Sequence, residues 1–260
     1  MKLALATRIG NGADLLDDQL DFHLAAGVDV IILESDGAFA LPERYARAGT
    51  VELVRGSARE AAEELGADWV IESRPDEFWW PRGGTLKQLL EPVSPTYGSV
   101  QALPRRFVPV TAAGPVAERM IYRLAQQSAE RRFVRRAGSG GEELSPIRGW
   151  YPIEVLRLSA DDLGHYDEEA LRLGVDQGSL TVDTRLRDAL RTIAEGRPPG
   201  FERVGVAEEA RFATDLAALR DAELADTRTR LNELELRLAA VEAGLVESVK
   251  RRLRSRWKRP

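Results

Sequence analysis

The chain has 260 residues, of which 43% are hydrophobic and 30% charged, and its formal net charge is −5. This composition is typical of a folded globule, and no stretch approaches the roughly 20 consecutive apolar residues that span a bilayer. Cysteine is absent and only two histidines occur, which excludes disulfides, iron–sulfur clusters, cysteine nucleophiles and His-rich metal sites. We therefore expect a cytoplasmic protein.

The charge is unevenly distributed along the chain. Residues 250–260 carry seven basic residues and no acidic one, and removing these seven charges from the net −5 leaves −12 for residues 1–249. An acidic body argues against nucleic acid as a partner, because binding to a phosphate backbone needs a broad basic face.

Strands and helices alternate over the first hundred residues. Apolar and β-branched runs predict strands at 2–7, 29–33, 51–54, 69–71 and 99–103. We interpret the first run as a strand and not as a signal peptide, because it lacks a small-residue cleavage site. Helical patterns lie at 14–26, 42–48 and 57–65, the last beginning with a capping box formed by Ser57 and Glu60. The alternation predicts an α/β domain with a mostly parallel sheet that helices cover on both faces.

The pattern is weaker after about residue 114. It predicts two further helices, at 160–173 and 182–194, and the Gly-Arg-Pro-Pro-Gly run is typical of a linker. We therefore divide the chain into a domain at 1–195, a linker at 196–206 and a helical segment with a basic tail at 207–260.

The C-terminal segment carries a heptad pattern. Apolar residues, with one threonine among them, recur at alternating spacings of three and four at Leu224, Thr227, Leu231, Leu234, Leu238, Val241 and Leu245. This seam predicts a coiled coil and a homo-oligomer formed through residues 207–250. The alternative is an amphipathic helix packed on its own domain.

Ligands of open α/β sheets bind outside the carboxyl ends of the strands. Arg8 and a Gly-x-Gly turn follow the first strand, but Leu15 stands where a dinucleotide fingerprint has its third glycine, and the chain has no phosphate-loop motif. The second strand is followed by an acidic turn that contains Glu34 and Asp36.

The segment after the fourth strand is the most unusual part of the sequence. The acidic pair Asp76 and Glu77 is followed by Phe78, Trp79 and Trp80. Paired carboxylates need a cation, a proton or hydrogen-bond donors, so we interpret the segment as a catalytic carboxylate site beside an aromatic platform for a metal–phosphate group or a sugar. The alternative is a surface turn with the aromatic residues packed beneath it.

Several segments resemble the family 2-like glycosyltransferases, which have the GT-A fold. The specific segment is GADWVIESRPDEFWWP at 66–81, which resembles the family's Gly-Ala-Asp-Trp-Val-Ile and Asp-Ala-Asp-Glu-Phe runs. Weaker similarity extends over about residues 1–195, through ADLL at 13–16, HLAAGVD at 23–29, RRFVP at 105–109, YPIEVLR at 151–157 and DTRLRDAL at 183–190.

The resemblance implies an enzyme that transfers a sugar from a nucleotide-sugar donor to a glycan, lipid-linked or small-molecule acceptor. The family's Asp-x-Asp motif binds Mn²⁺ or Mg²⁺ on the donor diphosphate. Asp76 matches its second aspartate and is the metal-ligand candidate, whereas Arg74 replaces the first, which weakens the case for a metal. By the same resemblance, Arg157 stands at the family's later histidine. The donor-binding candidates are Arg8, Glu34, Asp36, Arg74 and Trp79.

Arg74 suggests that the positive charge of an arginine replaces that of the metal ion. A guanidinium can neutralise a leaving diphosphate and grip its oxygens bidentately, with help from Arg8 or from the cluster at 131–136. The acceptor's general base stays open among Glu77, Glu118, Asp161 and Asp162. The alternative function is a non-catalytic scaffold, in which a degenerate transferase domain binds a partner and the coiled coil assembles the complex.

The basic tail predicts peripheral contact with a membrane. Each Lys or Arg close to an anionic surface contributes about 1 kcal/mol, and Trp257 suits the interface. Co-sedimentation with anionic vesicles is expected, with binding that falls as salt rises and disappears when residues 250–260 are removed. Equal sedimentation with neutral vesicles would instead leave the tail as an ordinary basic helix end.

Overall fold

The computed structural model describes residues 1–10, 13–35, 39–95, 97–110, 115–126, 128, 130–138, 146–147, 152–158, 166–201, 228–239 and 241. The chain divides into two compact units, Met1–Val204 and Gly205–Pro260. The division falls inside the linker predicted at 196–206.

The first unit contains eleven strands in its described residues. They are β1 (Leu3–Arg8), β2 (Val30–Glu34), β3 (Val51–Val54), β4 (Trp69–Ser73), β5 (Glu77–Pro81), β6 (Ser99–Val108), β7 (Tyr122–Leu124), β8 (Arg132–Arg136), β9 (Pro146–Ile147), β10 (Ile153–Leu158) and β11 (Leu180–Val182).

Seven α-helices accompany these strands within the described part of the unit, and a 3-10 turn at Ala13–Leu15 precedes the first. They are α1 (Leu16–Ala25), α2 (Glu43–Ala48), α3 (Ala58–Glu64), α4 (Leu86–Leu90), α5 (Val116–Arg119), α6 (Glu168–Asp176) and α7 (Arg185–Ala194). At the start of α3 the Ser57 hydroxyl accepts a hydrogen bond from the Glu60 N–H at 3.2 Å, which confirms the Ser57 contact of the predicted capping box.

The strands form an open mixed sheet in the order β3-β2-β1-β4-β8-β6-β7-β11. The four strands from β3 to β4 are parallel, as predicted, and Leu5 of β1 pairs with Ile31 on one side and Ile71 on the other. β8 then lies antiparallel between β4 and β6. Outside this row, β10 pairs in parallel with β6 and antiparallel with β5.

The expectation of a mostly parallel sheet therefore holds only for the first half of the chain. A parallel return needs a crossover of a dozen or more residues, usually with a helix. The helix between β6 and β7, α5, has four residues, and β7 pairs antiparallel with β6. The fold is α/β with a mixed open sheet.

Three local predictions need correction. The stretch after β4, expected as a site loop, contains the strand β5. The helix predicted at 160–173 begins at Glu168, where the Asp167 carboxylate accepts the Ala170 N–H at 2.7 Å; residues 159–165 lie outside the described residues. The helix predicted from residue 182 begins at Arg185, and β11 precedes it.

The core is built around α1 and β5. Phe22 of α1 lies 5.6 Å from Phe78 and 5.9 Å from both Trp80 and Phe201, measured between ring centroids. The edge-to-face and stacked contacts among these rings add to the free energy of their burial. The aromatic run after Glu77 thus faces the interior.

A buried ion network attaches α7 to the second half of the sheet. Arg185, at the start of α7, donates to Glu154 at 2.7 Å and to Asp183 at 2.8 and 3.0 Å. Arg105 donates to Glu154 at 3.0 Å, and Arg123 donates to Asp183 at 3.2 Å. Burial alone would raise the pKa of Glu154, but Arg185 and Arg105 hold it below its usual value. The network fixes the position of β10, which carries part of the site described below.

His23 is fully buried, deeper than the half-buried packing that its helix position suggested. Its Nε2 accepts the Trp79 N–H at 3.1 Å, and its Nδ1 lies 2.7 Å from the Gln19 carbonyl. Since the backbone N–H can only donate, Nε2 is unprotonated and Nδ1 carries the proton that it donates to Gln19. Burial lowers the pKa of His23 to about 4.

The second unit contains a described helix at 228–239. Leu231, Leu234, Leu238 and Val241 of the predicted seam are exposed, while Leu224, Thr227 and Leu245 lie outside the described residues. None of the helices in the described ranges has the length and apolar character that a bilayer-spanning segment requires.

The pKa of His23 predicts a loss of stability in mild acid. The pKa of His23 falls from 6.5 to about 4 on folding. Between these two pH values the histidine is protonated in the unfolded chain but neutral in the folded protein. The free energy of unfolding should therefore fall by about 3 kcal/mol across this window, and this contribution is constant above it. Urea denaturation between pH 7.5 and 4.5 measures the slope.

His23→Gln is expected to flatten that slope, because a glutamine side chain does not titrate. His165→Gln removes the only other histidine of the sequence and serves as the matched control that keeps the slope. Parallel pH profiles for the His23→Gln variant and the unmodified chain would contradict the assignment.

Candidate functional site

The carboxyl ends of β1, β2 and β4 meet at one edge of the sheet. Two further strands bring side chains to the same edge: β8 begins there because it runs antiparallel to β4, and β10 ends there with Arg157 paired opposite Glu77. Six charged residues form a connected set at this edge, which we call the carboxylate–guanidinium cluster: Arg74, Asp76, Glu77, Glu130, Arg132 and Arg157.

Asp76 lies between two guanidinium groups. Its Oδ1 is 3.2 Å from Nε of Arg74, and its Oδ2 is 3.4 Å from Nε of Arg157. The Asp76 side chain is 13% exposed, whereas Arg74 is 54% exposed. Within the described residues, the buried Oδ1 accepts no hydrogen bond of good geometry. Arg74 is thus the more exposed partner, and the Oδ1 of Asp76 that it faces accepts no hydrogen bond from the described residues.

Glu77 is the buried member of the cluster, with 1% of its side chain exposed. Its Oε1 accepts a hydrogen bond from Nε of Arg132 at 2.8 Å and forms an ion pair with Nη2 at the same distance, and its Oε2 accepts the Arg74 N–H at 3.1 Å. Burial raises the pKa of Glu77 above its usual value, although Arg132 opposes that shift. Glu77, proposed from the sequence as catalytic, therefore holds the turn and Arg132 in place.

Glu130 completes the cluster from the segment before β8. Nη1 of Arg157 donates to both of its carboxylate oxygens, at 2.8 and 2.9 Å, and Arg132 lies 3.4 Å away. Burial alone would raise the pKa of Glu130, but the hydrogen bond and charge of Arg157 lower it below its usual value. Glu130 is 45% exposed and ionised at neutral pH.

Sequence reasoning did not identify Glu130, and it placed Arg157 only through the resemblance. Arg132 was included in the cluster at 131–136, but Arg136 of that run stacks on Trp69 at 4.3 Å and donates to the Val93 carbonyl. Arg106 of β6 is the register partner of Arg157 in the neighbouring parallel strand. Residues paired in this way project from the same face.

The remaining donor-binding candidates are placed differently. Arg8 and Glu34, paired in register at the ends of β1 and β2, form an exposed ion pair at 3.4 Å. Asp36 lies outside the described residues. Trp79 is fully buried, and its indole N–H donates to the Ser73 hydroxyl at 3.1 Å. It is a core residue and offers no surface for stacking, so the packing alternative describes it correctly.

Gln19 of α1 forms hydrogen bonds to the end of β4 and to the turn that follows it. Its amide nitrogen donates to the Arg74 carbonyl at 2.5 Å and lies 3.3 Å from the Ser73 hydroxyl. Among the described residues, its Oε1 and the hydroxyl of Thr7 are buried and accept no hydrogen bond. The turn that presents Arg74 and Asp76 is thus fixed from α1 as well as from Glu77.

The side chains around Asp76 are better suited to bind an anion than a divalent cation. Magnesium and manganese prefer several oxygen ligands, but two guanidinium groups flank this carboxylate. Among the described residues, no three histidine, aspartate or glutamate side chains are arranged to hold a metal. A metal at Asp76 stays a prediction.

Comparison with known proteins adds no assignment. The sequence matches no protein-family model, and the search of curated proteins gives no significant match. Functional inference therefore depends on the geometry of the cluster and on the resemblance of the segment at 66–81.

The Glu77–Arg132 pair predicts a measurable energetic coupling. Because the carboxylate is buried, Glu77→Gln and Arg132→Gln should be non-additive by about 1–3 kcal/mol in a double-mutant cycle followed by urea denaturation. The matched control is the exposed pair of Glu43 and Arg47 on α2, for which a coupling of about 0.3–0.5 kcal/mol is expected. Equal couplings for the two pairs would exclude the anchoring role of Glu77.

Proposed function

We propose that this protein is a glycosyltransferase of GT-A type that binds a nucleoside-diphosphate sugar through arginine side chains. The observation that carries the proposal is the position of Arg74 and Arg157 on either side of Asp76, at the carboxyl edge of the parallel strands. The resemblance at 66–81 supports the same position for the donor diphosphate.

The arginines supply the charge that the reaction requires. Transfer of the sugar leaves a nucleoside diphosphate, whose developing negative charge must be stabilised in the transition state. Arg74 and Arg157 flank Asp76, and Arg132 belongs to the same cluster. Planar guanidinium groups hold phosphate oxygens bidentately and stay charged at every working pH.

Binding proceeds by exchange of partners. Without a ligand, Asp76 and Glu130 neutralise the arginines, and a diphosphate takes over these contacts. We expect Arg74 to change partner first, because it is the more exposed member of its ion pair with Asp76. Once Arg74 turns to the diphosphate, the Oδ1 of Asp76 that faced it can accept a hydroxyl of the donor sugar.

The acceptor hydroxyl needs a general base. Glu77 is buried and already accepts from Arg132 and Arg74, Glu118 lies exposed on α5, and Asp161 and Asp162 lie outside the described residues. Glu130 is the carboxylate of the cluster that is both exposed and held ionised. We include it as the base for a glycan or lipid-linked acceptor.

A non-catalytic scaffold is the second candidate function. The observation that favours it is the exposed apolar seam of Leu231, Leu234 and Leu238, which is suited to assembly. In this alternative the cluster is a neutral structural network that binds no nucleotide.

Donor binding should resist chelation and should depend on Arg74. A thermal-shift screen of nucleoside diphosphates and nucleotide sugars, with EDTA or with Mn²⁺, measures both. A ligand at 100 times its Kd stabilises by about 2.7 kcal/mol, and Arg74→Ala should reduce this stabilisation. Arg47→Ala, which removes the same charge from α2, is the matched control and should bind like the unmodified chain.

Loss of all binding in EDTA, restored by Mn²⁺, would show that Asp76 holds a metal and that Arg74 does not replace it. With a donor identified, Asp76→Asn should abolish sugar transfer while the melting temperature stays close to that of the unmodified chain. An active Asp76→Asn variant would remove this carboxylate from the mechanism. No stabilisation by any nucleotide would favour the scaffold.

A further inference from the structure

The helix at 228–239 presents an apolar stripe on one face. Leu231, Leu234, Leu238 and Val241 follow one another at spacings of three, four and three, and each side chain is between 55% and 62% exposed. Side chains at these spacings lie on one side of a helix. Leu236 is also exposed but stands on the opposite side, at the outer position of the heptad.

Charged residues flank this stripe in a regular order. With Leu231 and Leu238 at position a, position g holds Glu223, Arg230 and Arg237, and position e holds Arg228, Glu235 and Glu242. Glu223 and Glu242 lie outside the described residues and enter here as positions in the sequence. Charges at e and g face the partner helix in a coiled coil and select its direction.

A parallel, in-register partner makes every one of these contacts attractive. In that arrangement each g residue meets the e residue five positions later on the other chain. The pairs are Glu223 with Arg228, Arg230 with Glu235, and Arg237 with Glu242.

Other arrangements bring like charges together. An antiparallel pair places g against g and e against e, so that Arg230 meets Arg237 and Glu235 meets its own copy. A parallel pair shifted by one heptad places Glu223 opposite Glu235 and Arg230 opposite Arg228, and only Arg230 with Glu242 and Arg237 with Glu235 stay attractive. Like charges at these positions disfavour the arrangement.

We propose that the stripe binds a second copy of this chain in a parallel, in-register coiled coil. The inference is independent of the proposed enzyme activity, since it uses only the seam and the charges beside it. It also brings the basic segments at 250–260 of the associated chains to the same end of the coiled coil.

The absence of cysteine from the chain allows a direct test of direction and register. In the full-length protein, Leu231→Cys should form an interchain disulfide with its own copy under mild oxidation, and so should Leu238→Cys. These positions are about 10.5 Å apart along one helix, whereas the Cα atoms of a disulfide lie about 4.4–6.8 Å apart. Leu236→Cys is the matched control and should remain uncrosslinked.

Crosslinking that needs a mixture of the Leu231→Cys and Leu238→Cys chains would overturn the in-register arrangement. Crosslinking of the Leu236→Cys control to the same extent would also overturn the proposal, because it would show random collision. Light scattering that gives 28.8 kDa, the mass of one chain, at every concentration would exclude self-association altogether.

Charge reversal provides a second, independent measurement. The pair of changes Arg230→Glu and Arg237→Glu should lower the assembled mass toward that of one chain, and so should Glu235→Arg with Glu242→Arg. Mixing the two variants should restore the assembly, because each then meets opposite charges. No recovery on mixing would show that these residues do not face a partner.

Discussion

The buried carboxylate of Glu77 holds the candidate site together. It stands at the start of β5, accepts the backbone N–H of Arg74 and binds Arg132 at the start of β8. The turn after β4, the start of β5 and the start of β8 thus meet at one buried carboxyl group, whose side chain is 1% exposed. Because removal of one partner leaves the other charge uncompensated, the positions of Arg74 and Asp76 depend on this residue.

Much of the first half of the fold could be predicted, because buried parallel strands have continuous apolar and β-branched runs. β5 could not, since Glu77 and Pro81 at its ends and the aromatic run between them have no strand periodicity. Trp79 is in the core because β5 pairs with β10 and packs against α1. These contacts are made far from it in sequence, and local patterns do not report them.

The candidate site was predictable at Asp76 and Arg74, where the residues follow a strand and match a motif. Its remaining members come from distant parts of the chain: 55 residues separate Arg132 from Glu77, and 81 separate Arg157 from Asp76. Only the antiparallel insertion of β8 and the return of β10 bring them to this edge. Arg132 and Arg157 meet Glu77 and Asp76 only because of the strand topology, and the local sequence around each residue does not predict these pairs.

The cluster and the C-terminal segment both carry basic side chains, which attract anions. The carboxylates of the cluster already neutralise its arginines. The binding free energy of a phosphate is therefore only the difference between its contacts with the arginines and those of Asp76 and Glu130. The tail at 250–260 has seven cations and no acid, and a parallel coiled coil places the tails of its chains side by side. If the proposed coiled coil forms, tails held together would bind an anionic surface with an affinity well above that of a single tail, since the second contact is intramolecular. If the proposed transferase acts on a lipid-linked acceptor, such retention would raise the concentration of the enzyme at the surface that carries the acceptor.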